Sequence, residues 1–324
     1  MAVCKQSAGG IVAKPRGTDA DGGTLIKLVG LPGLDNFLHF VKTRVAGGEN
    51  LQRRVLVDRW RQANDHYHEL ETSEGGRADS IECLPLPAEL RAHKRRAMAH
   101  RHFRLSFNDL PATIKWVELS KLLASQHSVA PDFSGRVSTR LGKRPTPAAL
   151  FDLCVPLDPE PPPVRIQRLS ESRYVFTSDS TDLRAHEIRL IPERIARRVE
   201  SYGPVESGLL LPLGFGSNCL SGVRSENRIV LQNGYHRAFA LMSLGITHAP
   251  MVIQTVTRTD ELDLVASSEV SENASFYFRA ARPPILNDFL DPLVAHHFAL
   301  RRLETRIEIE VTVRTTTGPA ARPM

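Results

Sequence analysis

The residues with the clearest potential for chemistry lie in one turn: Asn233, Gly234, Tyr235, His236 and Arg237. An apolar run before the turn predicts a strand, and apolar residues at helical spacing after it predict a helix that ends at a glycine. The first amides of such a helix have no partner within it, and the helix dipole adds partial positive charge there. An imidazole and a guanidinium supply further donors. The turn therefore predicts binding of an anion, most plausibly a phosphate.

Two neighbouring segments could contribute to the same chemistry. The glycine-rich loop 214–218 follows an apolar run, and its small residues would let a ligand approach the backbone closely. The segment 177–184 concentrates hydroxyls and carboxylates, which could bind a divalent metal or accept a proton. The candidate residues are Gly214, Gly216, Ser217 and Asn218 in the loop, and Asp179, Asp182 and Arg184 in the acidic segment.

Each of these patterns also has a structural interpretation. The turn could be a simple connection, with Arg237 paired to an acid on a neighbouring helix. The glycine-rich loop could be an ordinary connection, and Asp and Ser residues commonly form local turns and caps.

The stretch 227–253, NRIVLQNGYHRAFALMSLGITHAPMVI, resembles the ParB/sulfiredoxin-type fold. That family places a strand before [Asp/Asn]-Gly-x-His-Arg, then a helix, Leu-Gly and a strand led by proline. Residues 187–256 fit the wider pattern, with HEIRLIPERIARRVESYGPV (186–205) as a helix and LLLPLGF as a strand. The pattern is closest to the free-serine-kinase and ParB-like nuclease-domain branch. The resemblance implies a turn that holds nucleotide phosphates, with the loop 214–218 near it.

Departures from the family pattern argue against some of the functions found in that family. Sulfiredoxins have a cysteine where this chain has Tyr235, which argues against peroxiredoxin repair. The serine kinases have an Asp at the position of Asn233 and a catalytic Glu whose best counterpart is Gln126. An amide cannot act as a general base, although phosphoryl transfer depends mainly on positioning and charge stabilisation. Asp179 and Asp182 are the first replacements to test. The Gly-Glu-x-x-Arg turn and the helical DNA-binding domain of chromosome-partition ParB proteins are not found.

The composition of the 324 residues is that of a soluble globular protein, with 41% hydrophobic and 24% charged residues. No apolar run approaches the length of a membrane span, so we expect a cytoplasmic protein without a membrane partner. The four cysteines are scattered and predict neither a zinc ribbon nor a disulfide framework.

The segment 91–104 contains six Arg or Lys, three His and no acid. It predicts either a solvated helix face or a surface for nucleic acid. Only Phe103 offers an aromatic ring for base stacking. Elsewhere, His66, His68 and Glu69 lie close in sequence, but residues two apart do not share a helix face. We expect no metal site from these residues or from the pair at 296–297.

The fold predicted is α/β (α+β), with a small ParB/sulfiredoxin-like mixed sheet and a helical amino-terminal region. The expected organisation is a mobile tail at 1–24, a mainly helical region at 25–130, a proline-rich connection at 131–165, and the α/β domain at 166–317. Individual predictions include helices at 34–45, 51–71, 87–103, 269–280 and 283–304, a strand and polar turn at 173–184, and a strand at 306–317.

The leading functional hypothesis is a bacterial-type cytoplasmic enzyme that binds a nucleotide or another phosphorylated small molecule at 233–237. Its reaction would be phosphoryl transfer with ATP or ADP and Mg²⁺, with His236, Asp179 and Asp182 in catalytic roles. One alternative is a non-catalytic, nucleotide-responsive or nucleic-acid-associated protein. Another is unrelated small-molecule chemistry on the same scaffold. Homo-oligomers are compatible with each hypothesis.

Overall fold

The computed structural model describes residues 22–31, 33–142, 145–180, 182–198, 203–205, 207–302 and 304–313. The expected tail, up to residue 21, lies outside this range. The chain divides into two compact units, which comprise Met1–Pro159 with Ser217–Arg302 (unit 1) and Glu160–Gly216 with Leu303–Met324 (unit 2). Helices and mixed sheets occur together, which confirms the α/β class. Among the described helices, none has both the length and the apolar character needed to cross a membrane.

The described strands and helices are numbered in chain order. The strands are β1 (Thr24–Leu28), β2 (Cys83–Leu84), β3 (Ala112–Glu118), β4 (Leu123–Ala124), β5 (Ser128–Val129), β6 (Arg165–Arg168), β7 (Arg173–Ser178), β8 (Leu183–Ala185), β9 (Arg189–Ile191), β10 (Gly208–Leu210), β11 (Leu213–Phe215), β12 (Ser221–Ser225), β13 (Arg228–Asn233), β14 (His248–Val256), β15 (Ala295–Ala299) and β16 (Thr305–Glu310). The α-helices are α1 (Leu34–Arg44), α2 (Arg53–Ser73), α3 (Arg91–Ala99), α4 (Arg101–Ser106), α5 (Asp132–Leu141), α6 (Pro147–Cys154), α7 (Glu193–Ala196), α8 (Tyr235–Ser243), α9 (Leu262–Val265), α10 (Ser268–Glu272) and α11 (Ala274–Arg279). These bounds confirm the helices predicted at 34–45 and 51–71, and the strand, turn, helix and strand predicted for 227–256.

A six-stranded mixed sheet forms the centre of unit 1, in the order β2-β3-β14-β12-β13-β4. β12 and β13 are antiparallel neighbours, and β14 runs parallel to β12. The apolar middle of β13, residues 229–231, is almost fully buried because the strand has neighbours on both sides. α8 connects β13 to β14 and ends in a Schellman motif, with Gly245 N on Met242 O and Ile246 N on Leu241 O. This geometry confirms the glycine stop predicted from the sequence.

A second, three-stranded antiparallel sheet of unit 1 has the order β15-β1-β5. β5 lies only three residues after β4, so the segment between them leaves one sheet and enters the other. Ser125 N donates to the Tyr235 hydroxyl and Ala130 N donates to the His236 ring. Residues 125–130 therefore lie along the first turn of α8.

Unit 2, considered by itself, consists of short antiparallel strands in the orders β16-β7-β6, β10-β9 and β11-β8. β16 shows the alternation predicted for 306–317, with half-buried Ile307 and Ile309 between exposed residues. Val311 and Val313 are 56% and 83% exposed, so the face predicted to be buried ends at Ile309.

Two elements of the wider family pattern are wrong in unit 2. The helix predicted over 186–205 contains the strand β9 and only four helical residues, α7, among its described positions. Pro192 lies between β9 and α7. Because proline has no N–H to donate to an earlier turn, a single helix through this position is unfavourable. The segment LLLPLGF forms parts of β10 and β11 on either side of Pro212, not one strand.

The connection predicted for 131–165 is also wrong, because it contains the helices α5 and α6. Pro147 occupies the first turn of α6, where a missing N–H is tolerated, and the Thr146 hydroxyl caps the Ala149 amide at 3.2 Å. Likewise, the helix predicted at 283–304 is a 3₁₀ turn, Leu286–Leu290, followed by the strand β15. Pairing with β1 outweighs the local helical spacing there.

A buried ion cluster holds the segment 282–288 in place. The Arg282 side chain is 2% exposed and donates to Asp288 at 2.7 Å and to Glu74 at 2.8 Å. The same segment runs beside β4. Leu286 N donates to Leu122 O, directly before β4, and Ala124 N donates to Pro284 O. The cluster thereby fixes the strand that leads into residues 125–130.

We predict that Asp288→Ala lowers the free energy of unfolding by about 3–5 kcal/mol, because it leaves the Arg282 charge buried without its nearest partner. Urea denaturation measures the change. The control is Asp260→Ala, which removes the partner of Arg258 at 2.9 Å in a pair whose side chains are 73% and 64% exposed. That loss should stay below about 1 kcal/mol. Equal losses in the two variants would contradict the conclusion that the buried ion cluster stabilises the fold more than an exposed ion pair does.

Candidate anion-binding site

One glycine makes the connection from β13 to α8. Gly234 has a φ of 97°, a left-handed conformation that favours glycine. A Cβ at this position would lie 2.7 Å from Cδ1 of Leu220, so the turn also lacks space for a side chain. The first backbone bond of α8 runs from Ala238 N to Gly234 O, and no described side chain caps the helix. The amides of residues 235–237 therefore have no partner within the helix, as the sequence predicted.

His236 presents a hydrogen-bond donor at this helix end. Its Nδ1 accepts from Ala130 N at 2.9 Å, and since a backbone amide only donates, the neutral ring carries its proton on Nε2. Burial, and then the charge of Arg136, lowers the pKa of His236. The side chain is half-buried and neutral at pH 7, and it can donate from Nε2.

Arg237 does not have the role predicted for it. Its side chain is buried, and its two terminal nitrogens donate at 2.8 Å to the backbone O and the Oδ1 of Asn218. Cys154 O accepts a longer bond of 3.4 Å from the same side chain. Burial lowers the pKa of Arg237. Because the guanidinium is bound to protein oxygens, it ties the loop before β12 to α8 and is not available to an anion. The alternative of an acid partner is wrong as well, since these acceptors are amide oxygens.

The other residues predicted around the turn divide into buried and accessible groups. The Tyr235 hydroxyl is buried, donates to Leu231 O at 2.5 Å and accepts from Ser125 N at 2.9 Å, so only its backbone amide can meet a ligand. Asn233 donates through its side chain to Ser217 O. The structure therefore brings Ser217 and Asn218 to the turn. Gln126 is exposed next to Ser125 and donates to Ser128 O at 2.6 Å.

Two arginines near this site were not predicted from the sequence, because they lie on α5, which was not predicted either. This helix packs against α8. Arg136 and Arg140 are exposed and form no ion pair among the described residues. Their charges lower the pKa of His236 and of Arg237, respectively, which places them near the start of α8. The available signal was their spacing of four residues, which puts two side chains on one helix face.

The remaining predicted residues belong to unit 2, where four of them lie together. Arg184 in β8 is opposite Gly214 in β11. Asp182 accepts from Gly216 N at 3.0 Å and from the Arg184 guanidinium. A Cβ on Gly216 would lie 2.7 Å from the Arg184 Nη2, so this glycine is explained by the packing of an arginine.

These contacts do not fit a Mg²⁺ site. Both oxygens of Asp182 accept hydrogen bonds, and a guanidinium beside them repels a cation, whereas Mg²⁺ needs free carboxylate oxygens. Asp179 is exposed in the bend after β7. We therefore derive no step that uses a metal.

The basic segment 91–104 is not one helix, since α3 ends at Ala99 and α4 begins at Arg101. Arg91, Arg95 and Arg101 are exposed and form no ion pair among the described residues, whereas Arg96 lies 3.4 Å from Asp152. Phe103 is buried at 5% exposure and cannot stack on a base.

The histidines at 66 and 68 have protein partners. His66 contacts Glu69 at 3.0 Å and Asp291 at 2.9 Å, and His68 lies 3.7 Å from Glu71. Both ring nitrogens of His66 therefore have carboxylate partners.

Comparison with known proteins yields no match to this chain among family models, curated proteins or solved structures. The ParB/sulfiredoxin resemblance stays a prediction from the sequence.

His127, within the segment along α8, has a buried Nε2 that lacks a hydrogen-bond partner among the described residues. Burial, and then the charge of Lys27, lowers the pKa of His127 from 6.5 to about 4. The unfolded chain therefore takes up this proton first as the pH falls. The contribution of His127 to the free energy of unfolding is therefore fully present above pH 6.5 and is lost as the pH falls towards 4.

We predict that His127→Leu reduces this loss. Between pH 6.5 and about 4, the unfolding free energy of the variant should fall less steeply than that of the parent protein. One proton accounts for a difference of at most about 1.4 kcal/mol per pH unit. Urea denaturation at several pH values measures both slopes, and parallel curves would show that His127 is not the titrating group.

Proposed function

We propose that unit 1 binds the phosphate group of a nucleotide or of another phosphorylated small molecule at the amino-terminal end of α8. The observation that carries the proposal is the uncapped first turn, in which three backbone amides lie beside a neutral imidazole donor. A helix start of this kind attracts anions through its amides and its dipole.

The charges near the turn support an anionic ligand. Arg136 and Arg140 contribute two positive charges without a described counter-ion. Hydrogen bonds between an ionised donor and a phosphate oxygen are stronger than neutral ones. In this arrangement the amides orient the phosphate, the Nε2 of His236 donates to one oxygen, and the two arginines neutralise its charge.

The same geometry favours binding over catalysis. No carboxylate of the described residues bonds to residues 233–237, and the side chains of Asn233 and Gln126 are amides. In unit 2, Asp182 is already bound by Arg184 and by the Gly216 amide. Because general-base catalysis needs a proton acceptor, we place a nucleotide-responsive binding protein ahead of a phosphoryl transferase. Conversion of ATP to ADP by the full chain would reverse this order.

We predict that ADP and pyrophosphate bind to the full chain, whereas adenosine, which lacks a phosphate, does not. Arg136→Gln and Arg140→Gln should each weaken ADP binding about tenfold in isothermal titration calorimetry, which corresponds to about 1.4 kcal/mol. The control Arg54→Gln removes an arginine that is 92% exposed on α2 and should leave the affinity unchanged. Absence of binding by both phosphate ligands, or equal weakening in the control, would refute the proposal.

A second candidate function is binding of nucleic acid by the basic surface of α3 and α4. The observation in its favour is the set of exposed arginines at 91, 95 and 101, which have no described acid partner. Their positive charge would contact phosphates without reading the sequence.

This second function predicts salt-dependent binding of labelled duplex DNA in fluorescence anisotropy. The double variant Arg95→Glu/Arg101→Glu should bind weakly and should reduce the slope of log K against log salt by about two. Unchanged affinity in that variant would exclude this surface.

A further inference from the structure

Two histidines and one aspartate converge where α3 gives way to α4. His100 precedes α4, His102 lies in its first turn, and Asp158 lies beyond the end of α6. One donor atom from each of the three side chains lies within 4.8 Å of the other two. The His100 Nε2 is 3.4 Å from Asp158 Oδ1, and the two imidazole rings meet edge to face at 5.2 Å between centroids.

We propose that His100, His102 and Asp158 bind a divalent transition-metal ion, for which Zn²⁺ is the best match. Two imidazole nitrogens and one carboxylate oxygen suit Zn²⁺ and leave at least one coordination position open. Mg²⁺ and Ca²⁺ prefer all-oxygen sites and should bind poorly. An ion pair accounts for the contact of His100 with Asp158, and the imidazole of His102 adds a third ligand atom beside it.

The donor atoms are close to a coordinating arrangement. In a tetrahedral site, bonds of about 2.0–2.2 Å place two ligand atoms about 3.5 Å apart. The His100 Nε2 and the Asp158 Oδ1 already lie 3.4 Å apart, and the His102 nitrogen would move closer to them from within 4.8 Å. His102 and Asp158 are exposed, so their side chains can make this movement without disturbing the core. The site uses side chains only and does not involve the amides of α4.

Metal binding must compete with the cap of α4. The His102 amide donates to Nδ1 of His100 at 3.3 Å, a long bond. In the neutral ring this leaves the proton on Nε2, towards Asp158. Coordination through Nε2 moves that proton to Nδ1 and breaks the cap, whereas coordination through Nδ1 replaces the cap directly.

Positive charge from Arg101 and from the helix dipole also weakens the site. We therefore expect an exchangeable ion and not one on which the fold depends.

The test is calorimetric titration of the dialysed full chain with ZnCl₂, with Co²⁺ absorption as a report on the ligand field. We expect one Zn²⁺ per chain. His102→Ala and Asp158→Asn should each weaken binding at least about tenfold. The control is His68→Ala, which removes a histidine that is 70% exposed beside Glu71 and lies outside the cluster. This variant should bind Zn²⁺ like the parent protein.

Circular dichroism checks that each variant is folded before titration. Absence of Zn²⁺ binding by the parent chain would overturn the proposal. So would unchanged binding in His102→Ala and Asp158→Asn, or a loss in His68→Ala as large as theirs. The outcome is independent of ADP binding, because none of these residues lies at the start of α8.

Discussion

A buried guanidinium, which has no carboxylate partner in the part of the chain that the structure describes, organises the centre of unit 1. Arg237 donates to Asn218 through both terminal nitrogens and makes a longer bond to Cys154 O. The loop before β12, the end of α6 and the first turn of α8 are thereby joined at one side chain. Burial of a charge is unfavourable unless hydrogen bonds compensate it, so these acceptors must stay in place. This requirement fixes the loop that packs Leu220 against Gly234.

A second buried charge acts on the same site from a distance. Arg282, held by Asp288 and Glu74, anchors the segment that runs along β4. β4 continues into residues 125–130, whose amides bind the Tyr235 hydroxyl and the His236 ring. Two buried arginines therefore hold the two chain segments that flank the start of α8. The amides at that helix end have no side-chain cap among the described residues.

This arrangement separates binding from chemistry. The groups at the turn are hydrogen-bond donors and cations, which suit a phosphate, whereas no carboxylate of the described residues bonds to residues 233–237. Of the two carboxylates predicted from the sequence, Asp179 and Asp182, the second is bound by Arg184 and by the Gly216 amide in unit 2. A binding protein needs only the first set of groups, and an enzyme that activates a hydroxyl needs both.

The sequence by itself determined the local features: β13, the left-handed Gly234, α8 with its glycine stop, and the free amides that follow from any helix start. These depend on residues close in the chain, so spacing and backbone preference suffice. Only the tertiary structure decided that Arg237 binds carbonyl oxygens and that Arg136 and Arg140 carry the charge near the turn. It also decided that residues 295–299 form a strand and that His100 and His102 meet Asp158. Each of these outcomes depends on partners distant in sequence, and burial or pairing there outweighs the local pattern.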